Sequence, residues 1–161
     1  MSSGYIEYAN GTGTTINATT YVGVAMTTPS DAPALVLPTS GVQWSHLEIG
    51  LHDADGPADP ADPTHLNATE VLIFLSWDSL GVQLIAGPMT TASKIHTVKS
   101  GGKSYGSCAI DLGIIPTFPA SNPAGTTAPA RGTIYCWVKA DSGTDDKLIL
   151  ARMHWNELSK G

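Results

Sequence analysis

Charged residues are scarce in this sequence, and positive charge is scarcer still. Asp, Glu, Lys and Arg make up 14% of the 161 residues, against about a quarter in an average soluble domain. The 8 basic residues are scattered along the chain and are outnumbered by 14 acidic ones. Because phosphate binding requires clustered Lys and Arg, this composition argues against a nucleic-acid partner.

Long hydrophobic runs are missing as well. No window approaches the roughly 18 consecutive apolar residues that identify a membrane helix. The opening MSSGYIEYANGTG has neither the basic nor the apolar region of a secretory signal. We therefore expect no membrane partner and a chain that is made in a cytoplasm.

Cysteine is nearly absent. The two cysteines, Cys108 and Cys136, offer no metal-ligand spacing. Both lie on predicted strands among aliphatic neighbours, where they either pair as a disulfide or remain buried thiols. A cytoplasmic origin favours the free thiols.

Turn formers and alternating apolar residues are abundant instead. The chain has 17 Gly and 11 Pro, and apolar residues recurring at period two predict about eight strands and no helix. The clearest pattern is a predicted hairpin from Gly132 to Trp155, with its turn at residues 141–146. Two long loops, 53–69 and 116–131, are typical of chains that cross between two sheets. The predicted fold is therefore all-β, a single-domain antiparallel β-sandwich of the jelly-roll type, with an immunoglobulin-like sandwich as the alternative.

The predicted sandwich occupies residues 21–155 and is flanked by polar segments. Residues 156–161 form a predicted polar C-terminal tail. Residues 1–20 are rich in Gly, Thr and Asn and form a predicted N-terminal arm that becomes ordered on a partner. Three side chains that alternate within this arm are the candidates for attaching it: Tyr5, Ile6 and Tyr8.

No catalytic motif is present, so we expect neither an enzyme nor a cofactor. On the predicted strand from Val42 to His52, alternation places His46, Glu48 and His52 on one face. His46 and His52 lie on the order of 20 Å apart along such a strand, which excludes one shared ion. His46 with Glu48 is the remaining metal hypothesis, but an outward polar face is favoured, and no metal site is assigned.

The acidic segment from Asp53 to Asp62 raises the question of a second cation site. It begins like a helix-flanked calcium loop, but Thr64 stands at the twelfth position, where such a loop has Glu. A solvated acidic loop is favoured, and cation binding there stays open.

The four tryptophans fall into two pairs. Trp77 and Trp137 lie within apolar strands, and we expect them in the core. Trp44 and Trp155 lie near strand ends on mixed faces, and they are the candidates for exposed aromatic side chains that bind a partner or a sugar ring.

These features together resemble the decoration, or cement, proteins of tailed bacteriophage capsids. The shared character is a short all-β chain without a signal peptide, with a Gly/Thr-rich N-terminal arm and low charge density. The resemblance implies a homotrimer that binds the major capsid protein on the outer capsid surface, so that the protein belongs to the virion. The alternative from another class is a carbohydrate-binding β-sandwich, in which Trp44 or Trp155 stacks on a sugar.

Overall fold

The computed structural model describes residues 3–29, 42–53, 66–90, 95–100, 103–114 and 133–157. These residues form nine antiparallel β-strands and no helix, which confirms the all-β prediction. Within this described part, no helix is long and apolar enough to cross a membrane. The strands are β1 (Ser3–Thr15), β2 (Val22–Thr27), β3 (Val42–His52), β4 (Val71–Ser76), β5 (Leu84–Thr90), β6 (His96–Ser100), β7 (Lys103–Ile114), β8 (Thr133–Ala140) and β9 (Lys147–Glu157).

The nine strands pair in one curled sheet with the order β5-β4-β8-β2-β1-β9-β3-β7-β6. β1 and β2 are aligned only at Glu7 and Thr27, so the sheet has its weakest pairing at this junction. β3 and β4 lie far apart in the strand order, yet Trp44 of β3 meets Trp77, just after β4, edge to face at 6.2 Å between ring centroids. The sheet therefore curls around its core.

The core lies on the concave face, where alternating residues of most strands are buried. β8 shows the pattern best, because four of its side chains are buried and the four between them are only partly so. This is the period-two alternation that the sequence predicts. The buried set on β8 is Ile134, Cys136, Val138 and Ala140.

The predicted hairpin from Gly132 to Trp155 is wrong, although both of its strands exist. β8 pairs with β2 and β4, whereas β9 pairs with β1 and β3. The segment between them carries Asp141, whose carboxylate accepts hydrogen bonds from Thr69 N at 2.8 Å and Glu70 N at 3.2 Å. Asp146 accepts a bond from Ala68 N at 2.8 Å. These bonds hold residues 141–146 against residues 67–70. The chain therefore does not turn back beside β8 but passes to the other half of the sheet.

The predicted N-terminal arm is also wrong over residues 3–15. This segment is β1, which lies between β2 and β9 in the middle of the sheet. Its Gly/Thr-rich half is ordered by Asn10, whose side-chain oxygen accepts hydrogen bonds from Thr12 N at 3.0 Å and Gly13 N at 3.3 Å. Pairing with β9 therefore overrides the low strand propensity of the composition.

Other boundaries agree more closely with the sequence. The predicted strand from Val42 to His52 is confirmed as β3. Asn156 and Glu157 of the predicted tail complete β9. The remaining tail residues, the loop 116–131 and residues 54–65 of the other long loop lie outside the described residues.

Candidate functional site

A cluster of two histidines and one glutamate lies on the convex face of the sheet. His46 and Glu48 project from β3, and His154 projects from β9, where it is aligned with His46. One ligand atom from each of the three side chains lies within 4.8 Å of the others. His154 Nε2 is 3.2 Å from Glu48 Oε2, and His46 Nε2 is 4.0 Å from Glu48 Oε1. All three side chains are partly exposed.

A β-bulge in β3 produces this arrangement. The register shifts between Trp44, aligned with Trp155, and His46, aligned with His154, so one extra residue of β3 is inserted at Ser45. A bulge reverses the facing of the side chains that follow it. Trp44 therefore points inward and His46 outward, although the two are two positions apart and would share a face on a regular strand.

The positions of Trp44 and Trp155 differ from the sequence prediction. Trp44 is 0% exposed and Trp155 is 4% exposed. Both side chains belong to the core, so the prediction that they are exposed aromatics is wrong, and neither can stack on a sugar in this conformation. The prediction that Trp77 is buried is confirmed at 2% exposure.

The cluster has a paired cation beside it. Arg152 Nη2 lies 2.7 Å from Glu7 Oε2, and Arg152 Nε donates to the same oxygen at 2.8 Å. This hydrogen bond to Glu7 raises the pKa of Arg152 above its ordinary value, against a smaller opposing effect of burial. The Arg152 guanidinium also lies 4.8 Å from the centroid of the Tyr5 ring. Arg152 is thus paired with Glu7, and the charge of Glu48, its aligned neighbour on β3, also contributes to the raised pKa.

Tyr5, Ile6 and Tyr8 take different positions from those expected of an arm. Ile6 is 1% exposed and packs in the core of its own chain, so it cannot attach an arm to a partner. Tyr5 packs against Arg152, and the Tyr8 hydroxyl is 2.6 Å from the Thr14 hydroxyl. The two tyrosines therefore contact their own sheet.

A turn between β4 and β5 presents aliphatic side chains to solvent. Residues 77–84, which end at the first residue of β5, are here called the Asp78 turn and close around the buried carboxylate of Asp78, which is 5% exposed. This carboxylate accepts backbone hydrogen bonds from Leu80 N at 3.2 Å, Val82 N at 3.0 Å and Gln83 N at 2.8 Å. Leu80, Val82 and the adjacent Leu84 are 62%, 52% and 57% exposed. An ordered turn thus holds three apolar side chains outside the core.

An aromatic cluster lies on the convex face of the other half of the sheet. Phe74 of β4 and Trp137 of β8 are aligned and nearly parallel, with ring centroids 5.4 Å apart. Tyr21 meets Phe74 edge to face at 4.8 Å. Gly23 makes room for this packing, because a Cβ there would lie 2.9 Å from the Trp137 ring. The prediction that Trp137 belongs to the core is wrong, since its side chain is only partly buried on the outer face.

The two cysteines are free and buried, as the sequence favours. They lie on β7 and β8, which are not neighbours in the sheet. Burial raises the pKa of the Cys108 thiol to about 11 and that of Cys136 to about 12. Both thiols are therefore protonated near neutral pH and are poor nucleophiles.

The remaining sequence candidates lie away from the cluster. His52 is at the far end of β3, where its side chain is 9% exposed and its ring Nε2 is 3.4 Å from the Thr12 carbonyl oxygen. Asp53 is buried, and residues 54–62 of the acidic segment lie outside the described residues. Sequence reasoning missed His154. Its alternation on β9 was visible, but nothing in the sequence showed that β9 lies beside β3.

Comparison with known proteins gives no relative. No family model, no curated protein and no solved structure matches the chain significantly.

Proposed function

We propose that the protein is a non-enzymatic assembly protein that decorates a tailed-phage capsid as a homotrimer. In this proposal it binds the major capsid protein on the outer surface of the virion. The single observation that supports an adhesive role best is the Asp78 turn with its three exposed aliphatic side chains. The capsid as partner follows from the resemblance in sequence character.

The Asp78 turn has the properties of a contact surface. Grouped exposed apolar side chains are uncommon on monomeric proteins and favour binding to another protein. The turn is fixed by backbone bonds to a buried carboxylate, so little conformational entropy is lost when it binds. We infer that Leu80, Val82 and Leu84 form the contact between subunits of the trimer.

We also propose that the fold is a jelly-roll-like sandwich. Its two layers are the two halves of the curled sheet, β5-β4-β8-β2 and β1-β9-β3-β7-β6. The single aligned pair at the β1–β2 junction and the contact of Trp44 with Trp77 support this arrangement. A sandwich leaves its convex faces and its edge strands free for adhesion.

A matched pair of variants tests the subunit contact. Val82 and Val98 are both 52% exposed, but Val98 lies on β6, at the opposite end of the strand order from β5. V82D places a charge in the proposed contact, so it should convert the trimer to monomers in sedimentation velocity, while V98D should remain trimeric. A trimer that persists in V82D would overturn the assignment of this surface.

The capsid partner requires a separate measurement. The wild-type protein should cosediment with undecorated tailed-phage capsids and saturate a defined number of sites. V82D should bind them more weakly, because the trimer multiplies single contacts through avidity. If the protein is trimeric but does not cosediment, the capsid is not its partner, and only the assembly of the trimer remains supported.

A carbohydrate-binding role is the second candidate, and the aromatic cluster on the convex face favours it. Tyr21, Phe74 and Trp137 present ring surfaces of the kind that stack on sugars, and Lys139 Nζ lies 4.9 Å from the Tyr21 ring centroid. A glycan array separates the two candidates. Binding that is lost in Y21A and unchanged in V82D would support the sugar role, and an array without signal would remove it.

A further inference from the structure

We propose that His46, Glu48 and His154 bind a divalent transition-metal ion of the Zn²⁺ class on the convex face of the sheet. The chemistry of the donors points to this class. Two imidazoles and one carboxylate are typical ligands of Zn²⁺, whereas Mg²⁺ and Ca²⁺ take oxygen ligands almost exclusively. Three protein ligands also leave a fourth position for water or a partner's side chain.

The spacing of the donor atoms suits a tetrahedral ion. Metal–ligand bonds of about 2.1 Å place tetrahedral donors about 3.4 Å apart. The separation of His154 Nε2 from Glu48 Oε2 is 3.2 Å, and that of His46 Nε2 from Glu48 Oε1 is 4.0 Å. All three donor atoms lie within 4.8 Å of one another, so rotation of the side chains is needed to bring them to one ion.

The Ser45 hydroxyl lies beside His46. It is 3.3 Å from the His154 carbonyl oxygen and 3.2 Å from His46 Nδ1. When the hydroxyl donates to the carbonyl, it accepts from Nδ1–H, and the lone pair of the neutral ring is then on Nε2. We expect this tautomer in the metal-bound protein, because Nε2 is the nitrogen that lies 4.0 Å from Glu48 Oε1. A second hydrogen bond of this kind is typical of histidines that ligate metals.

The backbone holds the three side chains in place. β3 and β9 are paired from Val42 to His52, and the bulge at Ser45 is enclosed by this pairing. The two imidazole rings are stacked, with centroids 4.2 Å apart and planes 17° from parallel. They must rotate about χ2 to aim both Nε2 atoms at one ion. Because both side chains are partly exposed, little packing opposes this rotation.

The surrounding charge permits a cation. Arg152 is aligned with Glu48 on the neighbouring strand, but its guanidinium is paired with Glu7 at 2.7 Å and is not one of the proposed ligands. Asp111, aligned with His46 on β7, is exposed and adds negative charge to the same region. Glu48 also borders an open depression of about 370 Å³ above Gly50 and Ala109, which leaves space beside the ion for a further ligand.

Titration of the untagged full chain with Zn²⁺ in a calorimeter tests the proposal. We expect one ion per chain, no competition from Mg²⁺, and a visible absorption spectrum typical of tetrahedral coordination when Co²⁺ is used instead. S45A should weaken Zn²⁺ binding by about tenfold, as loss of a hydrogen bond behind a ligating histidine does. E48Q and H154Q should weaken it more than S45A.

His96, an exposed histidine on β6, provides the control. H96Q should bind Zn²⁺ like the wild type, and the thermal unfolding of every variant without metal should stay close to that of the wild type. The proposal is overturned when the wild-type chain binds no Zn²⁺, or when H154Q binds it as tightly as H96Q. A Co²⁺ complex of the wild type with an octahedral spectrum would also contradict it.

Discussion

The Asp78 turn gives the sharpest test of how the fold is held together. D78A removes the acceptor of three backbone hydrogen bonds, from Leu80, Val82 and Gln83. Gln83 is 5% exposed, so its N–H is left in the interior at a cost of about 1–3 kcal/mol. The N–H groups of Leu80 and Val82 lie nearer the surface and reach water, at a cost of about 0.5 kcal/mol each.

The expected loss of unfolding free energy in D78A is therefore about 3 kcal/mol. For a chain of this size it corresponds to a fall in melting temperature of about 9 °C. D78N should lose only about 1 kcal/mol, because its amide oxygen still accepts from Val82 and Gln83, while its NH₂ group faces Leu80 N. Urea unfolding followed by tryptophan fluorescence measures both values.

Two outcomes would refute this reasoning. D111A removes an exposed aspartate of β7 and serves as the control, with an expected change within about 0.5 kcal/mol. A D78A variant as stable as D111A would show that the carboxylate does not order the turn. Equal losses in D78N and D78A would show that the carboxylate's role is its charge and not its acceptors.

Two further predictions concern residues 1–20 and the segment between β8 and β9, whose structures differ from the sequence prediction. Deleting residues 1–20 removes β1 from the centre of the sheet, so the truncated chain should be unfolded by circular dichroism; a folded truncation would mean that the segment is a dispensable arm. Burial tends to raise the pKa of Asp141, but hydrogen bonds from Thr69 and Glu70 outweigh it and lower the pKa below 3.8. The stability that these bonds supply is present above that value and is lost as the pH falls through the lower, folded-state pKa. Urea unfolding from about pH 6 to about pH 2 should therefore show a steeper acid loss in the wild type than in D141N, and parallel curves would contradict it.

Strand positions were predictable from the sequence because they depend on local alternation. β3 and β8 carry their apolar side chains at period two, and both were placed within one or two residues. Pairing was not predictable in the same way, since it depends on contacts between distant segments. The turn between β8 and β9 looks like a hairpin, but Asp141 and Asp146 bind residues 67–70 instead, and nothing local indicates those partners.

The candidate site was also predictable within a strand but not between strands. The shared face of His46 and Glu48 was visible within one strand, but His154 could join them only once β9 was known to lie beside β3. The bulge at Ser45 has no clear sequence signal, and it reversed the expected exposure of Trp44. Trp155 is buried because it is aligned with Trp44 on the neighbouring strand, which is again a matter of pairing.

The molar mass of the wild-type protein in solution tests the assembly role most directly. Light scattering over a wide range of protein concentrations should give about three times the chain mass of 16.7 kDa, with no dissociation at working concentrations. A mass of one chain at every concentration would contradict the claim that the exposed side chains of the Asp78 turn join subunits.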